Sequence, residues 1–552
     1  MSADDRYPNV GGRRTSDPDA DLEGNLADWR RFRRQKRVAD VHWIDVLYPA
    51  YLTGIFGFAV VAVLSSMVGD EVLTAGQVDT VRVDGPGWIG VAAAFAVALG
   101  LRSGSRGGPL ALERAEVRHV LLAPVDRAAA LRVPALKQLR FLAFVGLVVG
   151  AIAGNLAAQR LPGSRLAWIA TGALAAVVLI GLSVGTALVS SGLRIPRWLA
   201  SLAGLVLLVL SFADALDRLP ASPGDPFGQL VLWPLDFAPV GLIPVLVALA
   251  LVASGLAVVG RSSLESAEQR SALVGQLRFA ATLQDLRTVI VLRRQLAMEL
   301  PRLRPWARLR ARGTDRLPVF TRGVRGLLRF PAARVVRLMA LGVVAGLCLR
   351  AMWSGTTPLF IVSGLALFVA GLDTTESLAQ EVDHPSRRDA SPFDASEIHL
   401  RHVPVAVLGQ LAVAAVAAGV AALPGGGEIP ADVAALGILS LALGGLSGAL
   451  VSVLAGQASV NDSWSLAPPE AQGMRLALRT AWPPALAVLG ALPWLFARDA
   501  IEDGRTAADG ALPWLLLSVI AFGLVCGWVR VRAEIGEWFR QQMEQAGAQS
   551  RT

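Results

Sequence analysis

Residues 113–132 read ERAEVRHVLLAPVDRAAALR. The stretch is charged, is broken by Pro124, and lies between two strongly apolar runs. Runs of about 18 or more apolar residues indicate membrane helices. Such runs recur along the whole chain, and they are apolar all round rather than on one face, unlike the helices of a water-soluble core. The sequence therefore predicts an all-α polytopic membrane protein in which the 113–132 stretch is a polar elbow between two spans. Leu121 and Leu122 precede Ala123-Pro124, and Asp126 stands where the first turn of a following helix favours an acid. The expected local structure is a helix, a proline break, and a second short helix feeding the third span.

Twelve spans are expected, near 46–68, 87–102, 140–158, 166–190, 197–214, 238–260, 336–353, 357–372, 404–423, 433–456, 478–497 and 511–530. The second and eighth are short, as tilted, broken or re-entrant segments are. The chain carries a net charge of +9, almost all of it from Arg, since Lys36 and Lys137 are its only lysines. Positive charge gathers on the cytoplasmic side of membrane proteins, which explains the sign without nucleic acid. The loop from Ser103 to Leu139 is basic, and Arg261–Arg334 holds sixteen arginines against five acids. Asp70, Glu71, Asp79 and Asp84, then Asp214, Asp217 and Asp225, then Asp499, Glu502, Asp503 and Asp509 fall in the alternate loops. Both termini are thus expected in the cytoplasm and the chain in the cytoplasmic (inner) membrane. The acidic loop Asp373–His402 dissents, but acids contribute little to orientation.

The spans group as two tandem six-helix halves. Residues 1–24 form an Asp-, Gly- and Pro-rich tail expected to be disordered. Residues 25–260 form the first half, with a basic lead-in around Trp29 and Phe32 and the cytoplasmic loop 103–139. Residues 261–316 form a basic amphipathic linker in which Phe279, Leu283, Leu286 and Ile290 share one helix face. Residues 317–532 form the second half, with the cytoplasmic loop 373–402, and 533–552 a cytoplasmic tail. An even number of spans per half implies a parallel repeat, as in duplicated transporter halves.

Several chemistries find no support. Neither lysine follows a Gly-rich turn, so the chain has no P-loop for ATP, and HExxH and GxSxG are absent. Cys348 and Cys526 belong to no CxxC pair. His384, His399 and His402 share the second loop with Asp383, Asp389, Asp394 and Glu397, but their spacing matches no zinc pattern. A solvated acidic loop is the expected reading. The span interiors hold few ionisable residues; Arg350, Asp214 and Asp373 sit near span ends, where they can reach the interface. No enzyme activity and no cofactor are expected in this chain.

These residues carry a resemblance. The chain resembles permease subunits of the ABC-2 export class, in which a coupling helix lies between the second and third spans of each six-span unit. "LLAPVDRAAALR" is similar to the corresponding loop of ABC exporter permeases of Gram-positive bacteria. The "LRTVIVLRRQL" and "RGLLRFPAARVVRL" segments are similar to those of an uncharacterised actinobacterial family of long membrane proteins. The resemblance implies a membrane-spanning permease that exports a substrate with energy from a separate cytosolic ABC ATPase, acting as a dimer that holds the ATP. It implies a first coupling elbow at Glu116, Pro124, Asp126 and Arg127, and a second at Pro385, Arg387 and Arg388 within "EVDHPSRRD". The second elbow lacks the "LL-x-P-V" core. Membrane lipids are the other expected partner. The rival readings are an ion-coupled secondary transporter and a non-transporting membrane scaffold.

Overall fold

The structure, a computed structural model, describes residues 72–110, 126–263, 302–307, 317–383, 392–423, 429–454 and 481–549, and single positions at 62, 65, 66, 112, 117, 121, 271 and 386. Most of the expected first span, 46–68, and most of the amphipathic linker lie outside the described residues. The described residues are helical with no strand, and the protein is a polytopic helical membrane protein. Among the described residues, nine helices are long and apolar enough to cross a membrane, or eleven if each of two bent pairs is one span. Many large apolar side chains on them face outward, among them Phe141, Phe144, Leu205, Leu246, Leu516 and Leu524. Helices suit a bilayer because every backbone polar group is satisfied within the segment.

The chain divides into two compact units, with the break between Gly275 and Gln276. This falls inside the stretch expected to link the halves. The first unit contains α1 (Ala75–Gly104), α2 (Arg127–Arg160), α3 (Arg165–Gly192), α4 (Arg197–Ala215), the short α5 (Asp225–Val231) and α6 (Ile243–Val258). Turns of 3-10 helix, Pro239–Leu242 and Val259–Arg261, flank α6. Here α1 starts well before the expected 87, and α2 runs unbroken through Pro134. The expected short helix after the elbow is therefore the beginning of the third span itself.

The second unit begins with α7 (Pro318–Leu327), an amphipathic helix, and turns at Pro331 into α8 (Ala332–Trp353). There follow α9 (Leu359–Thr374) and α10 (Glu376–Asp383), bent by 58° at Thr375, then α11 (Ala395–Ala421) and α12 (Ala431–Leu454). A second bent pair, α13 (Ala481–Leu489) and α14 (Leu492–Glu502), turns by 42° and leads to α15 (Ala507–Gln549). The eighth expected span, 357–372, is thus carried by α9 with the bend just beyond it, whereas the bend between α13 and α14 falls inside the eleventh, 478–497.

Both units are packed in the same way around one helix. In the first, α3 touches α1, α2 and α6; in the second, α12 touches α9, α11 and α15. These central helices are the fourth crossing in each expected half. Small residues make the approach possible. A Cβ on Gly150 would lie 2.2 Å from the Gly172 carbonyl oxygen, and one on Gly448 would lie 2.2 Å from that of Pro483.

Candidate functional site

The connection from α1 to α2 is anchored rather than loose. Leu112, Val117 and Leu121 are buried in a cluster with Ala130, Leu131, Leu188 and Val259. Gln138 Nε2 donates to the Pro109 carbonyl oxygen at 2.8 Å, tying the start of the connection to α2. Arg132 Nε donates to the Leu256 carbonyl oxygen at 3.3 Å, tying α2 to α6. Asp126 caps α2: its carboxylate accepts from the amides of Ala128 at 3.1 Å and Ala129 at 3.0 Å. The Ala129 and Ala128 amides hold its carboxyl below the usual range. Arg127, the next residue, is exposed. The described positions of the connection are thus seated on the unit as a platform, with Asp126 and Arg127 exposed at its end. Glu116 and Pro124, and Pro385, Arg387 and Arg388 of the second elbow, lie outside the described residues.

The corresponding connection in the second unit begins with α10, whose Leu378 and Ala379 are buried against Val403, Leu450 and Val453. Around it stands a polar cluster. Arg337 grips Asp373 through two hydrogen bonds, Nε to Oδ2 at 2.8 Å and Nη2 to Oδ1 at 3.1 Å. Glu381 Oε1 accepts from Arg322 Nη2 at 2.7 Å and lies 3.9 Å from His402 Nε2. Thr374 Oγ1 donates to Gln410 Oε1, and Gln410 Nε2 donates to the Leu367 carbonyl oxygen. Asp373, Glu381, His399, His402 and Arg334 are all buried.

This corrects two expectations. His399 and His402 are not in a solvated loop: α11 starts at Ala395 and carries both into the packed interior. Asp373 does not reach solvent from a span end either. It is 1% exposed, and its charge is balanced by Arg337 instead of water. Among the described residues, no three His, Cys, Asp or Glu side chains converge as a metal site would require.

A cavity of about 650 Å³ opens beside this cluster, lined by α7, α8 and α10. A second, of about 700 Å³, lies in the first unit between the ends of α1 and α4 and the start of α5. It is lined by Asp84, Asp214, Asp217 and Asp225 with Arg82 and Arg218. Asp225 accepts from the Ser222 amide at 2.8 Å and from its hydroxyl at 2.7 Å. Burial opposes its charge, but hydrogen bonds from the Asp214 carboxyl and from Ser222 outweigh that and hold Asp225 low.

Residues 80–463 match a family of unknown function, DUF6297. The chain belongs to DUF6297. No curated protein and no solved structure matches it. The DUF6297 match spans the platform, both cavities and the polar cluster; it ends before α13. Sequence reasoning anticipated an acid at the start of a helix at Asp126, but not the pairing of Arg337 with Asp373, of Arg322 with Glu381, or the hydrogen bonds of Gln410. The available signal was an Arg and an Asp at the ends of adjacent apolar spans, where each would otherwise be an unpaired buried charge.

Proposed function

We propose that this DUF6297 chain is the membrane-spanning permease component of an ABC-type exporter, driven by a separate cytosolic ATPase. The observation that carries this reading is the seated platform between α1 and α2. A site that receives force needs a rigid attachment to a span. Leu112, Val117 and Leu121 supply that attachment by burial, and Asp126 by capping α2. Since α2 is continuous to Arg160, displacement of the platform moves a whole span. The exposed Arg127 suits a charged partner surface. The packed α10 occupies the same position in the order of the second unit and offers a second contact. On this reading the platform and both termini face the cytoplasm, in keeping with the basic charge of the 103–139 and 261–334 stretches.

The test is a pull-down of the tagged full chain, gently solubilised from native membranes. A stoichiometric soluble ATPase with a P-loop, lost on Arg127→Glu, is the expected result. Its absence in several mild detergents, or undiminished partner binding and transport with Arg127→Glu, sinks the reading.

A second reading has an observation of its own. Buried ionisable residues inside membrane proteins commonly mark ion or proton paths, and Asp373 and the Glu381–His402 pair are buried residues of this kind. An ion-coupled carrier would keep transporting after ATP depletion and stop when the ion gradient is collapsed. The exporter reading expects the reverse.

A further inference from the structure

The α13–α14 span is interrupted rather than curved. Its halves meet at Gly490–Ala491 with a bend of 42°, and the second half carries Pro493 in its first turn. Proline has no amide hydrogen, so the Leu489 carbonyl four residues earlier loses its helical donor. Around the break the backbone amides reach back three residues instead of four: Gly490 to Ala487 at 3.2 Å, Ala491 to Val488 at 3.0 Å and Trp494 to Ala491 at 3.2 Å. The Gly490 carbonyl is thus left without the Trp494 amide that a regular helix would give it. Neighbouring helices supply hydroxyls instead. Ser440 Oγ of α12 donates to the Gly490 carbonyl oxygen at 2.9 Å, and Ser518 Oγ of α15 reaches that of Leu489 at 3.5 Å. Ser440 also has an acceptor in its own helix, the Gly437 carbonyl oxygen at 3.1 Å.

We propose that this break is a two-state hinge, in which α13–α14 straightens as the Gly490 carbonyl oxygen passes from the Ser440 hydroxyl to the Trp494 amide. The exchange conserves hydrogen bonds. A serine hydroxyl has one proton to donate. Released by Gly490, Ser440 falls back on Gly437, while the Trp494 amide moves one carbonyl along, from Ala491 to Gly490. In a regular helix the Ala491 carbonyl then accepts from the Leu495 amide. Ser518 serves Leu489 in both states, because Pro493 serves it in neither. No donor is stranded in the apolar interior, where an unmade bond would hold the hinge shut. The contact with α12 leaves room for the movement: a Cβ on Gly444 would fall 2.6 Å from the Gly490 Cα, and both residues are glycine, so no side chain jams there. The far half is tied to its neighbours. Arg498 Nη1 of α14 donates to the Met352 carbonyl oxygen at 2.8 Å and to Thr357 Oγ1 at 3.2 Å, and Phe496 stacks on Trp514 of α15 with centroids 4.3 Å apart. Straightening therefore carries the α8–α9 turn and the start of α15 with α14. This inference does not depend on the exporter reading.

The experiment measures distances by double electron–electron resonance on the full chain in lipid nanodiscs. Cys348→Ala and Cys526→Ala clear the background thiols. Spin labels go on Trp482→Cys and Ile501→Cys, exposed positions on either side of the break, and, as a reference, on Leu516→Cys and Val531→Cys of the unbroken α15. Two distances are expected across the break and one narrow distance along α15. Ser440→Ala removes the bond that holds the bent state. It is expected to shift the ratio toward the longer distance by about two- to tenfold, the worth of one net hydrogen bond. Pro493→Ala restores a helical amide for Leu489 and is expected to shift the ratio the same way. It leaves Ser440 in place, so the test stands even if Ser440→Ala fails to fold. Ser447→Ala, on the same helix, removes a buried hydroxyl that bonds its own Leu443 carbonyl oxygen at 2.7 Å, and is expected to leave the ratio unchanged. One narrow distance across the break in the parent and in both hinge variants, or a shift in Ser447→Ala as large as in Ser440→Ala, overturns the hinge.

Discussion

Arg337 and Asp373, on neighbouring helices α8 and α9, are joined by two hydrogen bonds at 2.8 and 3.1 Å while the carboxylate is shut off from solvent. The guanidinium beside it offsets the cost of keeping that carboxylate charged away from water. Removing one partner of a buried pair typically costs about 3–5 kcal/mol. Asp373→Ala and Arg337→Ala are each expected to lower the unfolding temperature in detergent markedly. Arg505→Ala, which breaks an exposed pair with Asp503, is expected to cost about 0–1 kcal/mol. Equal effects of buried and exposed substitutions would contradict the pairing.

Asp126 gives a local test of the platform. Substituting a capping Asp by Ala typically costs about 1 kcal/mol, whereas Asn retains most of a cap. Asp126→Ala is therefore expected to be less stable than Asp126→Asn. The pH dependence has a fixed sign. The folded state holds this carboxyl below its ordinary value, so its contribution is present above the ordinary carboxylate range and is lost as pH falls through the folded-state value. A thermal melt series of wild type against Asp126→Ala across acidic pH checks both points: the difference between them is expected to shrink toward low pH.

The same sign applies to Asp225 in the first unit, where the Ser222 hydroxyl contributes to its depression. Ser222→Ala removes that bond but keeps the backbone amide bond. The expected cost is about 1 kcal/mol at neutral pH, diminishing as the medium becomes acidic. A cost that grows on acidification would reverse the assigned direction.

The spans were legible because hydropathy sums over many residues, and a single charge does not alter the sum. That same summation hid the polar cluster. Asp373 closes an apolar run and so reads as an end marker, while its partner Arg337 lies 36 residues away in sequence. His402 reads as loop because the first turns of α11, with Glu397, His399 and Arg401, are polar; their burial comes from packing against α10 and α12. Asp126 was legible because an acid before an Ala-rich run is a local cap signal. The continuity of α2 was not, because Pro134 and Lys137 delay its apolar window although the backbone is already helical.

The closest test of the fold lies in the contact between α2 and α3. Gly146, Gly150 and Gly154 recur every four residues and so fall on one face of α2. A Cβ on Gly150 would meet the Gly172 carbonyl oxygen at 2.2 Å, and one on Gly154 would meet that of Trp168 at 2.1 Å. The obstruction is backbone in both cases, so no side chain can swing aside and the helices must separate. Gly419, on α11, has nothing within 4 Å of an added Cβ. Alanine there meets no clash and gains the helix preference of Ala over Gly, about 0.5–1 kcal/mol. Gly150→Ala and Gly154→Ala are expected to destabilise the protein in detergent, and Gly419→Ala to leave it unchanged or slightly stabilised. If all three raised stability alike, intrinsic helix preference would govern these positions, and the close approach of α2 to α3 would be wrong.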